Sequence, residues 1–292
     1  MISLVTWNIQ YGRGRDDRVD LERQADLLRT FDIIGVQEIE RYWRRTGDMD
    51  QVARMAELLP DHYHVFAPAM DILKQIGPGP KGAVRRQFGN AVFSRFPILS
   101  ANPVSLPRRA LMSQPTGTRI ALDTVIALPS GRHVRFCSTH LDHAQPDLRV
   151  EQAEALLKLY REGPLSGGVE HGVRGSDPWW AEEIQAPPVP HDMVLVGDFN
   201  LQPHDEAYTR LVGSVDVHYG RMPHLDGFAD SWTLTGHAEE EGRTWWDDPA
   251  KGQRRLDYVL VSAGLAPLVR SCRILDGDMS DHQPVAVELD LA

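Results

Sequence analysis

Four short polar segments, spread along the chain from residue 6 to residue 282, constrain its fold most strongly. Each places a carboxylate or an amide oxygen directly after an apolar run, where a buried strand would end. The segments are Thr6-Trp7-Asn8, Gln37-Glu38, Gly197-Asp198-Phe199-Asn200 and Ser280-Asp281-His282. Hard divalent cations such as Mg²⁺ bind carboxylate and amide oxygens together with water, and hydrolysis of a phosphate ester needs an activated water beside such a charge. The four segments together therefore predict one metal-dependent phosphoesterase site.

Length and composition agree with one domain that carries this site. The chain of 292 residues is long enough for a large core, and a domain boundary would separate the four segments. We therefore expect residues 1–292 to form a single catalytic domain. No apolar run approaches the roughly 18 residues that a membrane span requires. Ile2–Val5 resembles a strand rather than a basic leader, and Cys137 and Cys272 fit buried thiols, so we expect a cytoplasmic protein.

Charge is distributed unevenly along the sequence. The net charge of −10 argues against a protein that binds nucleic acid over its whole surface. Residues 72–122, however, contain no Asp or Glu and eight basic residues: Lys74, Lys81, Arg85, Arg86, Arg95, Arg108, Arg109 and Arg119. We expect Arg85 and Arg86, which follow a glycine- and proline-rich loop, to bind phosphates beyond the scissile one. Solvated loop charges are the alternative.

The apolar runs predict an α/β fold with many strands and few helices. Ile120, Leu122, Ile126 and Leu128 share one face, as a half-buried strand requires. Gly163-Pro164 is expected to end the longest helix. Strand-like runs fall at 2–8, 33–37, 63–67, 90–94, 119–128, 133–139, 193–197, 257–261, 268–274 and 284–290, and helical patterns at 20–30, 49–59, 147–162 and 204–212.

Two stretches, residues 71–88 and 163–191, have the composition of long loops. Loops of this length in a compact domain are often functional, so either stretch could shape a substrate pocket. For residues 163–191 a disordered insertion is an equal alternative.

The order and spacing of the motifs resemble the endonuclease/exonuclease/phosphatase superfamily. This superfamily includes exonuclease III-type repair nucleases, pancreatic deoxyribonuclease, neutral sphingomyelinases and inositol polyphosphate phosphatases. Besides the four segments, the resemblance rests on Gly89-Asn90-Ala91-Val92-Phe93-Ser94-Arg95, Ser138-Thr139-His140-Leu141 and Arg255-Leu256-Asp257-Tyr258. It covers nearly all 292 residues. It implies an α/β sandwich of four layers, in which two packed mixed β-sheets are flanked by helices.

The resemblance also implies the metal ligands. Glu38, Asn8 and Asp281 are expected to bind Mg²⁺, for which Mn²⁺ can substitute. Asn8 ends a buried strand, where an amide without a partner would be costly, although a turn-capping role is the alternative. A zinc pair of His140 and His143 is a weaker hypothesis, because the oxygen-rich motifs are typical of a hard metal.

Five further residues are expected to carry out the chemistry by the same resemblance. Asp198 would activate the attacking water, and Asn200 would contact the phosphate or the metal. His140 would stabilise the phosphoryl oxygens or protonate the leaving group. His282 would contact the scissile phosphate, and Asp257 would orient its imidazole, because a buried carboxylate fixes the tautomer and favours the cation. Asp-x-Asn is also common in turns, so this motif alone would favour a structural role.

Three more residues are expected to border the substrate. Asn90 follows Gly89 and could complete the pocket, with a structural role in a tight turn as the alternative. Trp245 and Trp246 resemble the aromatic segment beside the substrate of exonuclease III-type enzymes, and tryptophans at the edge of the core are the alternative.

The sequence predicts cleavage of a phosphodiester in a small molecule or a nucleic acid, with no obligate protein partner evident. A DNA-repair nuclease, a phosphomonoesterase acting on a sugar or inositol phosphate, and a non-catalytic binding module are the alternatives.

Overall fold

The computed structural model describes residues 1–75, 82–169, 189–246 and 254–291, and within these ranges it contains two six-stranded sheets. In chain order the strands are β1 (Ile2–Asn8), β2 (Ile33–Arg41), β3 (Tyr63–Gln75), β4 (Val84–Ser94), β5 (Ile98–Ser105), β6 (Ile120–Ala127), β7 (His133–His140), β8 (Met193–Asp198), β9 (Val215–Asp216), β10 (Gly220–Arg221), β11 (Phe228–Asp230), β12 (Asp257–Ser262), β13 (Val269–Ile274) and β14 (Val285–Leu289). The first sheet has the order β13-β14-β1-β2-β4-β3, and the second has the order β11-β12-β8-β7-β6-β5. The short strands β9 and β10 pair with each other.

Each sheet contains one parallel strand pair, and these two pairs determine where polar residues gather. β1 and β2 run parallel in the first sheet, and β7 and β8 run parallel in the second. Asn8 is in register with Gln37, next to Glu38, and His140 is in register with Asp198. The carboxyl ends of both pairs therefore carry the polar residues that follow apolar runs in the sequence.

Helices cover the outer faces of the sheets. They are α1 (Leu21–Leu28), α2 (Gln51–Leu58), α3 (Pro146–Ser166) and α4 (Glu206–Val212), whereas the short α5 (Ser231–Leu234) contributes Trp232 to the cluster between the sheets. Ala25 of α1 and Met55 of α2 pack with Val36 of the first sheet. Leu156 of α3 packs in a cluster with Leu195 of the second sheet. None of the described helices is long and apolar enough to cross a membrane.

A third apolar cluster fills the space between the two sheets. Leu4 and Val92 of the first sheet belong to it, together with Phe136 and Val196 of the second. Gly35 in β2 leaves room for this contact, because a Cβ atom there would lie 2.7 Å from a methyl carbon of Val196. The order helix, sheet, sheet, helix confirms the predicted α/β sandwich of four layers.

The first of the two expected loops is mostly a paired hairpin. β3 and β4 remain paired out to Gln75 and Val84, with two register shifts on the way, so the loop prediction is wrong for residues 71–75 and 84–88. Side chains in the outer half of this hairpin are largely exposed, and an exposed ribbon shows no alternating apolar pattern. Residues 76–81 and 170–188, which belong to the two expected loops, lie outside the described residues.

The longest helix, α3, continues past the residues expected to end it. It runs to Ser166, although Pro164 lacks the N–H that would bond to the carbonyl of Tyr160. The buried guanidinium of Arg135 replaces that donor, because its Nη1 donates to the Tyr160 carbonyl at 3.2 Å. Asp123 balances the charge of Arg135 at 2.6 Å. The prediction that the glycine-proline pair ends this helix is therefore wrong.

Replacing Arg135 with Met is expected to lower the free energy of unfolding by about 3 kcal/mol or more, because it leaves the carboxylate of Asp123 buried without its partner. Denaturant unfolding measures this loss. Arg132→Met is the matched control, since the Arg132–Asp192 pair is partly exposed and should contribute about 1 kcal/mol or less. Equal losses in the two variants would contradict this account of α3.

Candidate active site

Strand ends from both sheets meet at one cavity. It lies where the two parallel pairs end, beside the start of β12 and the segment that precedes β14. Its volume is about 550 Å³, which is in the range of pockets that hold small ligands. The residues predicted from the sequence that line it are Glu38, His140, Asp198, Asn200, Trp245, Asp281 and His282.

Asp198 lies at the centre of this site. Its Oδ2 accepts a hydrogen bond from Nδ2 of Asn8 at 3.0 Å, and Nε2 of His140 lies 3.3 Å from the same oxygen. Nε2 of His282 is 3.7 Å from it. Burial raises the pKa of Asp198, an effect that the neighbouring His282 opposes. One buried carboxylate oxygen is thus surrounded by an amide and two imidazoles.

Asn200 follows Asp198 in a left-handed backbone conformation with φ of 52°. Its backbone N–H donates to Oδ1 of Asp198 at 2.9 Å, and its Nδ2 donates to the carbonyl of Leu141 at 3.2 Å. These bonds hold the Asn200 side chain at the wall of the cavity, beside the end of β7.

His282 is paired with Asp257, as the sequence predicts. Nδ1 of His282 lies 2.8 Å from Oδ2 of Asp257. Burial alone would lower the pKa of His282, but the carboxylates of Asp257 and Asp198 outweigh burial and raise it to about 10. The indole N–H of Trp7 also donates to the His282 carbonyl at 2.9 Å. His282 is therefore a fixed imidazolium at neutral pH.

His140 has the opposite charge state. Burial lowers its pKa well below the ordinary value, and the positive charge of Arg119 lowers it further. Its Nδ1 is buried without a hydrogen-bond partner among the described residues. A neutral ring that carries its proton on Nε2 can donate to Asp198. Asp198 therefore lies between one neutral and one cationic histidine.

Glu38 and Asp281 bring two more carboxylates to the cavity. Glu38 lies at an irregularity in the pairing of β2 with β4, and its φ of 59° places the residue in the left-handed region. Such a bulge changes the direction of a side chain within a strand, here inside β2. Burial, and then the charge of Asp281, raise the pKa of Glu38 to about 7. Oδ2 of Asp281 accepts from Nε2 of Gln10 at 2.9 Å.

Asn8 connects Asp198 with the segment that contains Asp281. Besides its bond to Asp198, its Oδ1 accepts from the backbone N–H of Gln10 at 3.0 Å. Its carbonyl accepts from Oγ of Ser280 at 2.7 Å, next to Asp281. Asn8 therefore links Asp198 to the Ser280-Asp281 segment. Its role as a metal ligand stays a prediction.

Arg119 is a cavity residue whose role the sequence did not reveal. It is only 9% exposed, and its Nη2 lies 3.3 Å from Nδ1 of His143. Its Nε has no partner among the described residues, and burial lowers its pKa. Only the pairing of β6 with β7 would have indicated its position. Ala121 lies opposite Thr139, which brings Arg119 close to His140.

The other residues expected to contact substrate lie in different places. Asn90 is buried, and its Nδ2 donates to the carbonyls of Ile120 and Ser138 in the second sheet. Arg85 forms an ion pair with Asp71 and lines a separate cavity. The structure therefore does not bring Asn90 or Arg85 into the cavity of Asp198.

Two aromatic regions border the cavity. Trp246 packs against guanidinium groups, with Arg243 3.7 Å from its ring centre, while the neighbouring Trp245 lines the cavity. On another wall, Trp43, Met70 and Phe88 line the cavity. None of these three residues lies in a polar motif, so the sequence did not indicate that they border the site.

Solved structures of similar fold cover nearly the whole chain. An endonuclease/exonuclease/phosphatase from Bacteroides vulgatus is 18% identical, with a TM-score of 0.65 and coverage of 99% of both chains. A mannosyl-6-phosphatase from Bacteroides thetaiotaomicron is 19% identical, with a TM-score of 0.63 and coverage of 99% of both chains. A 3′ phosphatase from Neisseria, solved with a product DNA hairpin, is 19% identical, with a TM-score of 0.58 and coverage of 99% of this chain and 100% of that chain. At these identities the likeness shows the fold.

The sequence comparison identifies the family. A search of curated protein sequences found no significant match. The family model described as "Endonuclease/Exonuclease/phosphatase family" matches residues 5–282, a range that includes every segment of the site. This match confirms the resemblance inferred from the motifs. The chain belongs to the Endonuclease/Exonuclease/phosphatase family.

Proposed function

We propose that the chain is a divalent-metal-dependent phosphodiesterase that hydrolyses a small phosphodiester at Asp198. Members of the family are hydrolases that act on phosphoester bonds. The observation that carries the proposal is the convergence of an amide and two imidazoles on one buried oxygen of Asp198. These contacts fix the carboxylate, and burial raises its pKa, so that it can accept a proton from an attacking water. Because both sheets contribute to the site, we propose that residues 1–292 act as one catalytic domain.

The carboxylates of Glu38 and Asp281 suit a hard divalent ion. Burial raises the pKa of both, and the described residues donate no hydrogen bond to the Glu38 carboxylate that would balance its charge. A cation would relieve their repulsion, and oxygen ligands favour Mg²⁺ or Mn²⁺. Glu38 and Asp281, together with Asn8, would hold this ion. When bound, it supplies positive charge to phosphoryl oxygens and lowers the pKa of a coordinated water.

The side chains of the protein supply proton transfer and further charge. Asp198 takes a proton from the attacking water as the water oxygen bonds to phosphorus and the bond to the leaving oxygen breaks. His282, oriented by Asp257, opposes the negative charge that develops on the phosphoryl oxygens. The amide of Asn200 adds a hydrogen bond to the same oxygens, while the N–H of the neutral His140 donates to Asp198 and holds it in place. His140 is better suited to donate a hydrogen bond than to act as a general acid, because burial lowers its pKa.

The distribution of charge favours a small substrate over a nucleic acid. Of the seven basic residues in the acid-free segment 72–122 that the structure describes, four form ion pairs with acidic residues outside the segment. These pairs are Lys74 with Asp48, Arg85 with Asp71, Arg95 with Asp32, and Arg109 with Glu151. They cancel much of the positive charge that a polyanion would need, and the whole chain carries a net charge of −10.

A phosphomonoesterase is the second candidate, and Arg119 is the observation that favours it. Its buried guanidinium has no carboxylate within ion-pair distance among the described residues, and it lines the same cavity as Asp198. It could therefore bind the additional negative charge of a monoester. Two of the solved structures named above are also phosphatases.

Hydrolysis of chromogenic esters separates these candidates. We expect the purified protein with Mg²⁺ to hydrolyse bis-p-nitrophenyl phosphate at least about 10-fold faster than p-nitrophenyl phosphate. Chelation with EDTA should abolish turnover, and Mg²⁺ or Mn²⁺ should restore it, because the proposed ligands are oxygens. Recovery with Zn²⁺ alone would contradict the metal assignment. Faster hydrolysis of the monoester would favour the second candidate.

A further inference from the structure

Arg85 and Arg86 are adjacent in β4 but lie on opposite faces of the first sheet, because side chains alternate along a strand. Nε of Arg85 donates to Oδ1 of Asp71 at 2.7 Å, on the face that carries a separate cavity. Arg86 shares its face with Phe88, two residues further along the strand. Phe88 lines the cavity of Asp198. Only one residue of the arginine pair therefore lies on the side of the active site.

Arg86 reaches that cavity through Trp43, a lining residue on which its guanidinium stacks. The centre of its guanidinium lies 4.6 Å from the centre of the Trp43 ring. The indole N–H of Trp43 donates to the carbonyl of Gln87 at 2.8 Å, and its ring contacts Phe88 edge to face. Both Trp43 and Phe88 line the cavity. A stack on a fixed indole restricts where the guanidinium can lie.

The charge of Arg86 is not balanced within the described parts of the chain. No acidic side chain there lies within ion-pair distance of it, and its Nε is buried without a hydrogen-bond partner. A half-buried guanidinium without an anion has lost part of its hydration without compensation. Such a group binds an anion from solution more readily than one that is already paired.

Arg45 provides a contrast on the same wall. It also stacks on Trp43, at 4.8 Å, and on Tyr11, at 3.8 Å. Its Nε, however, donates to the fully buried carboxylate of Glu40 at 3.0 Å, and its Nη2 donates to the same oxygen. Arg45 therefore stiffens the wall and is neutralised by Glu40, whereas Arg86 keeps its charge available.

We propose that Arg86, supported by Trp43, binds a second phosphate of the substrate, separate from the phosphate that is hydrolysed at Asp198. This inference rests on the proposed function and narrows its substrate class to small phosphodiesters that carry a further phosphate group. The part of the substrate that links the two phosphates would lie along Phe88 and Trp43. A planar guanidinium suits this role because it can donate two parallel hydrogen bonds to one phosphate.

Two chromogenic diesters that differ by one phosphate test the proposal. They are thymidine 5′-(p-nitrophenyl phosphate) and the same compound with a 3′-phosphate. In both, water attacks the 5′-phosphorus and the bond to the aryl oxygen breaks, which releases p-nitrophenolate. We expect the wild type with Mg²⁺ to show a KM about 10-fold lower for the 3′-phosphorylated compound, as one charged hydrogen-bonded contact would produce.

Arg86→Ala should bring the ratio of the two KM values close to one. Arg86→Lys should keep part of the preference, because it retains the charge but loses the planar donor pair. Arg85→Ala is the matched control and should keep the wild-type ratio, since that side chain is paired with Asp71 on the other face. A wild type without the preference, or an Arg86→Ala variant that retains it, would overturn the proposal.

Calorimetry distinguishes this proposal from the proposed function. Thymidine 3′,5′-bisphosphate should bind the Mg²⁺-loaded wild type about 10-fold more tightly than thymidine 5′-phosphate, and Arg86→Ala should remove the difference. If neither diester is hydrolysed but the bisphosphate binds more tightly than the monophosphate, the anion site is supported and the phosphodiesterase function is contradicted. If both diesters are hydrolysed but the wild type binds the two nucleotides equally, only the second-phosphate proposal fails.

Discussion

Replacing Asp198 with Asn is expected to lower kcat by at least about 10²-fold with the fold intact. The amide has nearly the same shape and keeps an oxygen that can accept from Asn8, but it cannot take a proton from water. Because the loss should arise in the transition state, the effect should persist at saturating Mg²⁺ and saturating substrate. The measurement is kcat for bis-p-nitrophenyl phosphate, with circular dichroism and the unfolding temperature as tests of the fold.

Asp226→Asn is the control for this variant. Asp226 is exposed, and its carboxylate pairs with Arg161 on the surface. We expect this variant to keep the wild-type kcat. If Asp198→Asn retains near-normal kcat at saturating metal, the water-activating role of Asp198 is wrong, whatever the family of the chain.

Replacing His282 with Ala is expected to lower kcat by about 10²-fold at pH 7, because it removes the fixed cation beside Asp198. His204→Ala is the control, since that imidazole is largely exposed. A His282→Ala variant with normal kcat would exclude electrostatic stabilisation by this residue.

The pH profile tests whether His282 acts as a cation. Its pKa of about 10 means that kcat should fall only as the pH rises through that value. Asp257 raises this pKa, so Asp257→Asn should lower it and move the alkaline fall of kcat to lower pH. An alkaline limb that does not move in Asp257→Asn would show that another group is titrating.

The four layers could be predicted from the family resemblance, and the gathering of several polar residues could be predicted because they follow apolar runs. Asp198 and His140 end neighbouring parallel strands, and Asn8 ends a strand that pairs with β2, the strand that contains Glu38. Such residues meet whenever the strands pair in register, so little tertiary information is needed. Asp257 and His282 are more distant in sequence, and their pairing rested on the family resemblance.

The remaining features depend on tertiary contacts that a linear pattern does not show. Arg119 precedes a strand and enters the cavity only because β6 and β7 form an antiparallel pair. Arg85 and Arg86 look equivalent in the sequence, but the register of β4 separates them to opposite faces. α3 passes Pro164 because a buried Arg135, far away in sequence, replaces the missing donor.

Some strands also lack the apolar signal. β5 lies at the edge of the second sheet, and its side chains are only partly buried, so its sequence contains few strongly apolar positions. β11 contains only Phe228–Asp230 and is too short for a periodic pattern.

The central claim is that water attacks phosphorus at Asp198 in a metal-dependent reaction. Hydrolysis of bis-p-nitrophenyl phosphate in ¹⁸O-labelled water with Mg²⁺, followed by mass spectrometry of both products, tests this claim most directly. We predict one ¹⁸O atom in p-nitrophenyl phosphate and none in p-nitrophenol, with no product from the chelated enzyme above the uncatalysed background and at least about 10²-fold slower release by Asp198→Asn. Label in p-nitrophenol, or undiminished turnover by the chelated enzyme, would contradict the account.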